Sequence, residues 1–189
     1  GKLQVSTFDV ADALQRTRDH LARGYGYDLE YLDTEAVRQR RASRRYYQGL
    51  RDPRAFHCDP LQLCRAVAAT LDPSSTLLFE ETPALGFSRT AGGWRVRTPL
   101  GSVQARRLVL CCGGYGGREV GRLRRMVLPI TTYIAATPPL PQLRRVIRTT
   151  DAGSDDRRAG NYYRIVAGDR LLWGGDITAF GRHAPERIA

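Results

Sequence analysis

An α/β chain with an α+β lobe is the fold class that this sequence predicts, and three observations predict it. Apolar residues recur at helical intervals early on, at Val10, Leu14 and Leu21 and again at Leu61, Cys64, Val67 and Leu71. Beyond residue 75 the period shortens to two, with Trp94, Val96 and Thr98 alternating with Arg95 and Arg97. Leu108-Val109-Leu110-Cys111-Cys112 is apolar on both faces, as a strand inside a parallel sheet is, and Gly113-Gly114 follows it directly.

The elements follow in order. Phe8 to Arg23 reads as an amphipathic helix behind the possible caps Ser6 and Asp9, stopped by Gly24 and Gly26. Asp28 to Leu32 reads as a short strand, and Asp33 then caps a second, arginine-rich helix. Tyr46 to His57 is polar, aromatic and turn-rich, an ordered loop with at most a short strand. It ends in a strong helix start: Asp59 can accept from free N–H groups, and Pro60 sits where its missing donor costs nothing. Thr76 to Phe79 reads as a buried strand. Leu85 to Arg89, Trp94 to Thr98 and Val103 to Arg106 form a three-stranded meander. Val127 to Thr137 reads as a long strand broken by Pro138-Pro139-Leu140-Pro141, and Gln142 to Ile147 as a short helix. Tyr162 to Val166 and Leu171 to Gly174 form a hairpin around Ala167-Gly168.

The 189 residues, 42% of them hydrophobic, can bury one sizeable core or two small lobes, and the composition is not that of a disordered chain. No run approaches the roughly 20 apolar residues of a membrane span. Gly1-Lys2-Leu3-Gln4-Val5 has neither the charged nor the apolar region of a signal peptide, so no membrane partner is expected. Thirty Lys and Arg against nineteen Asp and Glu give a net charge of +11, and Lys2 is the sole lysine. Phosphate contacts would profit from that charge. The arginines are scattered, however, and the densest group, Arg38, Arg40, Arg41, Arg44 and Arg45, falls on an expected surface helix. That favours a solvated basic surface over a nucleic-acid interface.

Cys58, Cys64, Cys111 and Cys112 match neither a C-x-x-C redox pair nor a zinc knuckle, and the three histidines are dispersed, so no metal site is expected. Cys111 and Cys112, inside an apolar run, are expected to be small buried hydrophobes in a reduced, cytoplasmic protein. His57 beside Cys58 does not make a base and nucleophile by adjacency alone. Asp155-Asp156 reads as a solvated turn.

Two constellations invite a ligand. Gly113-Gly114-Tyr115-Gly116-Gly117 ends a buried strand, where glycines let a ligand approach the backbone, although a purely structural tight turn fits the same residues. A dinucleotide fingerprint starting at Gly114 would need glycine where Glu119 stands, so G-x-G-x-x-G is not met. Tyr162, Tyr163 and Arg164 opposite Leu172, Trp173 and Gly174 suit an aromatic wall with a cationic head for a carboxylate or amine, and ordinary core packing suits half of them equally.

Five segments, taken in order, carry a family resemblance: residues 46–61, 81–87, 92–98, 107–117, and 161–164 with 170–175. Together they resemble the middle of a flavin-dependent amine oxidase of the D-amino-acid oxidase superfamily, in the group of gamma-glutamylputrescine oxidase. The resemblance implies a partial FAD/NAD(P)-binding fold of the D-amino-acid oxidase type. Residues 1–55 and 121–189 would contribute to a substrate lobe and residues 56–120 to the FAD-binding domain. It implies FAD as cofactor, with the backbone at Ala84 bracketing the adenine where relatives usually carry valine. Cys112, Gly113 and Gly114 would lie where the buried strand passes the flavin, although Cys111-Cys112 departs from the family's usual Ala-Thr-Gly-Gly or Ala-Ala-Gly. Tyr162, Tyr163 and Arg164 would face a small amine or amino-acid substrate. The implied reaction is oxidation of a primary or secondary amine to an imine with oxygen as acceptor, and no acid or base of this chain need be invoked. The family's amino-terminal strand–G-x-G-x-x-G–helix and its carboxyl-terminal closing segment are not in the sequence. The isolated stretch is therefore expected to be an inactive internal fragment with weak affinity for FAD. The alternative readings are a non-enzymatic binding or interaction module and a basic nucleic-acid-binding domain.

Overall fold

The computed structural model describes residues 1–113, 121, 125–128 and 130–178. The chain divides into two units, Gly1–Asp59 with Ile130–Ala189 and Pro60–Pro129.

The first unit is a mixed sheet with helices. In chain order it contains β1 (Lys2–Val5), α1 (Ala11–Tyr25), β2 (Glu30–Leu32), α2 (Thr34–Arg40) and β3 (Gly49–Asp52). The second unit, which intervenes in sequence, contains α3 (Pro60–Ala69), β4 (Gly86–Thr90), β5 (Gly93–Thr98) and β6 (Gly101–Ala105). The first unit then resumes with β7 (Thr131–Ala136), α4 (Leu143–Val146), β8 (Ala152–Asp155), β9 (Tyr162–Val166) and β10 (Arg170–Thr178). Its seven strands run in the order β2-β3-β1-β8-β9-β10-β7, with β1 and β8 parallel and the other neighbours antiparallel.

Local chemistry sets the helix ends. α1 stops where Gly26 adopts the left-handed conformation and its N–H closes on the Ala22 carbonyl. α2 starts where the Asp33 carboxylate accepts from the Ala36 N–H at 2.8 Å, as the sequence predicts.

Strand alternation divides the sheet into two faces. Leu3 and Val5 of β1 are buried and pack with Leu32, Val37 of α2 and Tyr46. In register with Leu3 through Gly153 lies Tyr163, which packs with Leu143 of α4 and Ile147. These residues define the helix-covered face. The opposite face carries Lys2, Gln4, Ser154, Tyr162, Arg164 and Leu172.

Three carboxylates tie this unit together. Burial raises the Asp151 carboxyl, but the hydrogen bond and charge of Arg51 outweigh it and hold the group below the usual carboxylate range. Asp156 is likewise penalised by burial and then held low by donations from the Ser6 hydroxyl at 2.5 Å and from Thr7. Asp52 is held low chiefly by the Tyr27 hydroxyl, with help from the N–H groups of Arg54 and Ala55. Carboxylates whose folded pKa lies below the unfolded value of roughly 3.9 stabilise the fold above that pH and lose this as pH falls through the folded values. Urea melts are therefore expected to give a constant midpoint from about pH 7 to about pH 5 and a falling one toward about pH 3. An unchanged midpoint at the acid end would contradict these assignments.

In the second unit β4, β5 and β6 form the predicted meander, with Phe87 opposite Val96 and Val96 opposite Val103. Helix α3 also begins at Pro60 as predicted, yet its apolar face at Leu61, Leu63 and Val67 stays exposed.

Several expectations need correction. Thr76–Phe79 and Leu108–Cys112 join no sheet among the described residues, and Val109 is 79% exposed. An apolar run becomes a buried strand only when neighbours on both sides complete its ladder. For the same reason Cys111 and Cys112 are exposed rather than buried, as are Cys58 and Cys64. Among the described residues the strand expected over residues 127–137 is confined to β7, which pairs with β10 from Thr131 to Ala136. Asp155 is no solvated turn residue: it is 6% exposed and accepts from the Asn161 N–H at 2.9 Å and side-chain amide at 2.7 Å. Arg41, expected on a solvated surface, is 2% exposed.

Candidate functional site

The hairpin of β9 and β10 carries the residues singled out for substrate. Cross-strand register pairs Tyr162 with Gly174, Tyr163 with Trp173 and Arg164 with Leu172. Because successive side chains alternate, Tyr162 and Arg164 share the face away from the helices while Tyr163 points to the helix-covered face. Tyr162 lies over Gly174, where a Cβ would sit 2.1 Å from its ring, and remains 43% exposed. Tyr163 is 4% exposed and stacks on Trp173 with ring centroids 4.8 Å apart. It also accepts from Arg41 Nε at 3.2 Å. The structure thus does not assemble the three residues into one wall: two of them present an open aromatic and cationic patch, and the third is core.

Arg164 is positioned by a segment from the other end of the unit. Its Nη1 donates to the Cys58 carbonyl at 2.6 Å and lies 3.3 Å from His57 Nδ1. His57 Nε2 lies 3.1 Å from the Thr150 carbonyl. A guanidinium only donates and a carbonyl only accepts, so the tautomer with the proton on Nε2 satisfies both contacts. No carboxylate among the described residues forms an ion pair with Arg164. Sequence reasoning did not connect His57 with Arg164, because 107 positions separate them and only the fold brings them together.

The four residues that the resemblance assigns to the cofactor, Ala84, Cys112, Gly113 and Gly114, fall in the second unit. Ala84 is exposed in the unpaired stretch leading into β4. Cys112 and Gly113 are exposed at the end of the extended 107–112 segment, and Gly114 lies outside the described residues. Gly113 has φ of 54°, a value that favours glycine, and a Cβ built there would meet none of the described residues within 4 Å. The small side chains at this backbone fit the approach of a flat ring. Among the described residues no cluster of three or more His, Cys, Asp or Glu is placed to hold a metal ion. No described helix is long and apolar enough to cross a membrane.

Comparison with known proteins places this arrangement. The chain is 30% identical over 152 residues to the probable oxidoreductase OrdL of Rhizobium meliloti, covering 80% of this chain and 36% of that protein. It is 28% identical over 178 residues to the gamma-glutamylputrescine oxidoreductase of Escherichia coli, covering 93% and 41%. Among solved structures, the glycine oxidase of Bacillus cereus superposes with a TM-score of 0.74 at 18% identity over 100% of this chain and 52% of that one. The chain thus spans less than half the length of these curated relatives. The family described as FAD dependent oxidoreductase matches residues 1–188. With that match over nearly its whole length, the chain belongs to the DAO family of FAD-dependent oxidoreductases.

Proposed function

We propose that this chain is part of a flavin-dependent oxidase that converts a small amine, with a carboxylate elsewhere in the molecule, to an imine with oxygen as acceptor. The observation that carries the reading is the Arg164 guanidinium beside Tyr162 on the open sheet face, without a carboxylate partner among the described residues. In this reading the first unit supplies the substrate lobe. Arg164 takes the substrate carboxylate, Tyr162 packs against its aliphatic part, and His57 with the Cys58 carbonyl fixes the guanidinium. The second unit supplies one edge of the FAD site through Ala84, Cys112, Gly113 and Gly114. When bound, FAD supplies the two-electron acceptor that this chemistry needs. The related gamma-glutamylputrescine oxidoreductase supports the amine class by its name.

The test is kinetic and uses the full-length, flavin-loaded oxidase of which this chain is proposed to be part. Arg164→Met is expected to raise KM for a carboxylate-bearing amine on the order of a hundredfold while kcat changes by less than about threefold. An otherwise similar amine without the carboxylate should be oxidised equally well by both proteins. Equal losses for the two substrates would reject Arg164 as the carboxylate anchor.

A further inference from the structure

On the helix-covered face, opposite Tyr162 and Arg164, lies a cavity of about 650 Å³ that the proposed oxidase reading does not use. That size falls within the roughly 300–1,000 Å³ of small-molecule sites. Its walls are Leu140 and Leu143, Ile147, Leu171, and the stacked pair of Tyr163 and Trp173. Three arginines, Arg41, Arg45 and Arg157, also line it, beside the uncharged polar Ser43, Gln142 and Asn161.

The charge on these walls is one-sided. Arg41 is buried, and its donations end on neutral oxygens: the Tyr163 hydroxyl, Thr149 Oγ1 at 2.7 Å, and the carbonyls of Arg40 at 3.1 Å and Asp151 at 2.7 Å. Arg157 lies 3.4 Å from the Asp155 carboxylate, which also accepts from Asn161. Arg45 forms no ion pair among the described residues. Arg45 and Arg157 also line a neighbouring cavity of about 630 Å³ together with Arg44, Arg158 and a single carboxylate, Asp156, so the rim between the two cavities is net cationic. An apolar chamber with a cationic rim matches a molecule with an apolar body and one anionic end.

We propose that this cavity is a binding site for an apolar monocarboxylate, with the hydrocarbon body against Leu143, Ile147 and Trp173 and the carboxylate at Arg45. Nothing in the proposal requires FAD, so it stands or falls separately from the oxidase reading.

Octanoate is the probe, with octylamine as the charge-reversed control. Calorimetric titration, with Trp173 fluorescence read in a Trp94→Phe background, should show saturable binding of octanoate at least about tenfold tighter than of octylamine. Arg45→Gln, at an exposed position, should weaken octanoate binding by about fivefold or more without changing the melting temperature. Leu143→Trp, which fills the chamber, should abolish it. No saturable octanoate binding, equal binding of octylamine, or octanoate affinity unchanged in Arg45→Gln would each overturn the proposal. If Leu143→Trp does not fold, Arg45→Gln decides alone.

Discussion

Arg41→Met is expected to lower the unfolding free energy by about 3–5 kcal/mol, because it removes one buried donor from several long-range partners at once. Arg41 bridges elements far apart in the chain: its guanidinium reaches Tyr163 on β9, Thr149 and the Asp151 carbonyl before β8. Its backbone pairs with Ile147. Replacing a buried charge by an apolar side chain can be neutral when the partners are replaced with it. Here the partners stay. The Asp151 carbonyl loses its donor, and the hydroxyls of Thr149 and Tyr163 each lose one partner while keeping their bonds to the Asp151 carboxylate and to Tyr46, at about 1–3 kcal/mol for a buried group left unsatisfied. Arg40→Met provides the comparison, since among the described residues that guanidinium bonds only the Ala36 carbonyl of its own helix; a loss below about 0.5 kcal/mol is expected there. Urea denaturation of both variants is the measurement. Comparable losses in the two would show that the bridging role of Arg41 is wrong.

The second large effect is a contrast between two glycines on opposite faces. A Cβ at Gly153 would stand 2.3 Å from Tyr163 Cζ, and one at Gly174 would stand 2.1 Å from Tyr162 Cζ. The distances are nearly equal, so the neighbours decide. Tyr163 is wedged against Trp173 and held by Arg41, and it cannot yield without breaking the stack. Tyr162 is open to solvent and can rotate away. Gly153→Ala is therefore expected to cost about 2–3 kcal/mol and Gly174→Ala less than about 1 kcal/mol. Near-ultraviolet circular dichroism should show the Trp173 environment disturbed in the first variant only. Equal costs would mean that the two tyrosines are equally constrained, against the assignment of one to the core and the other to an open face.

Much of the local structure was legible because its signals are local. The Pro60 helix start, the Asp33 cap, the meander and the β9–β10 hairpin each rest on residues within one or two turns of each other. What could not be read depends on remote partners. β1, β3 and β8 are four residues each, too short for a pattern, and become strands through one another's ladders. The burial of Arg41 and Asp155 follows from long-range hydrogen bonds that no window of sequence contains. The hydrophobic runs at 76–79 and 108–112 were legible as apolar but not as strands, since the ladder is a property of neighbours. The family resemblance drawn from the order of five segments is matched by the family assignment over residues 1–188. Within the site, composition marked Tyr162 and Arg164, but only the pleat separates them from Tyr163, and only the fold brings His57 to Arg164.

The parallel pairing of β1 with β8 has a consequence for biosynthesis. Its register joins Lys2 to Ala152, and the Ser6 hydroxyl meets Asp156 across 150 positions. A ribosome releases β1, β2 and β3 early, and these can pair at once, but the other edge of β1 must wait until the entire Pro60–Pro129 unit has emerged. Throughout that interval the nascent chain offers an unzipped strand margin, the kind of template on which chaperones act and misassembly begins. Such high contact order makes the seam between the chain's two halves the slow step of its maturation.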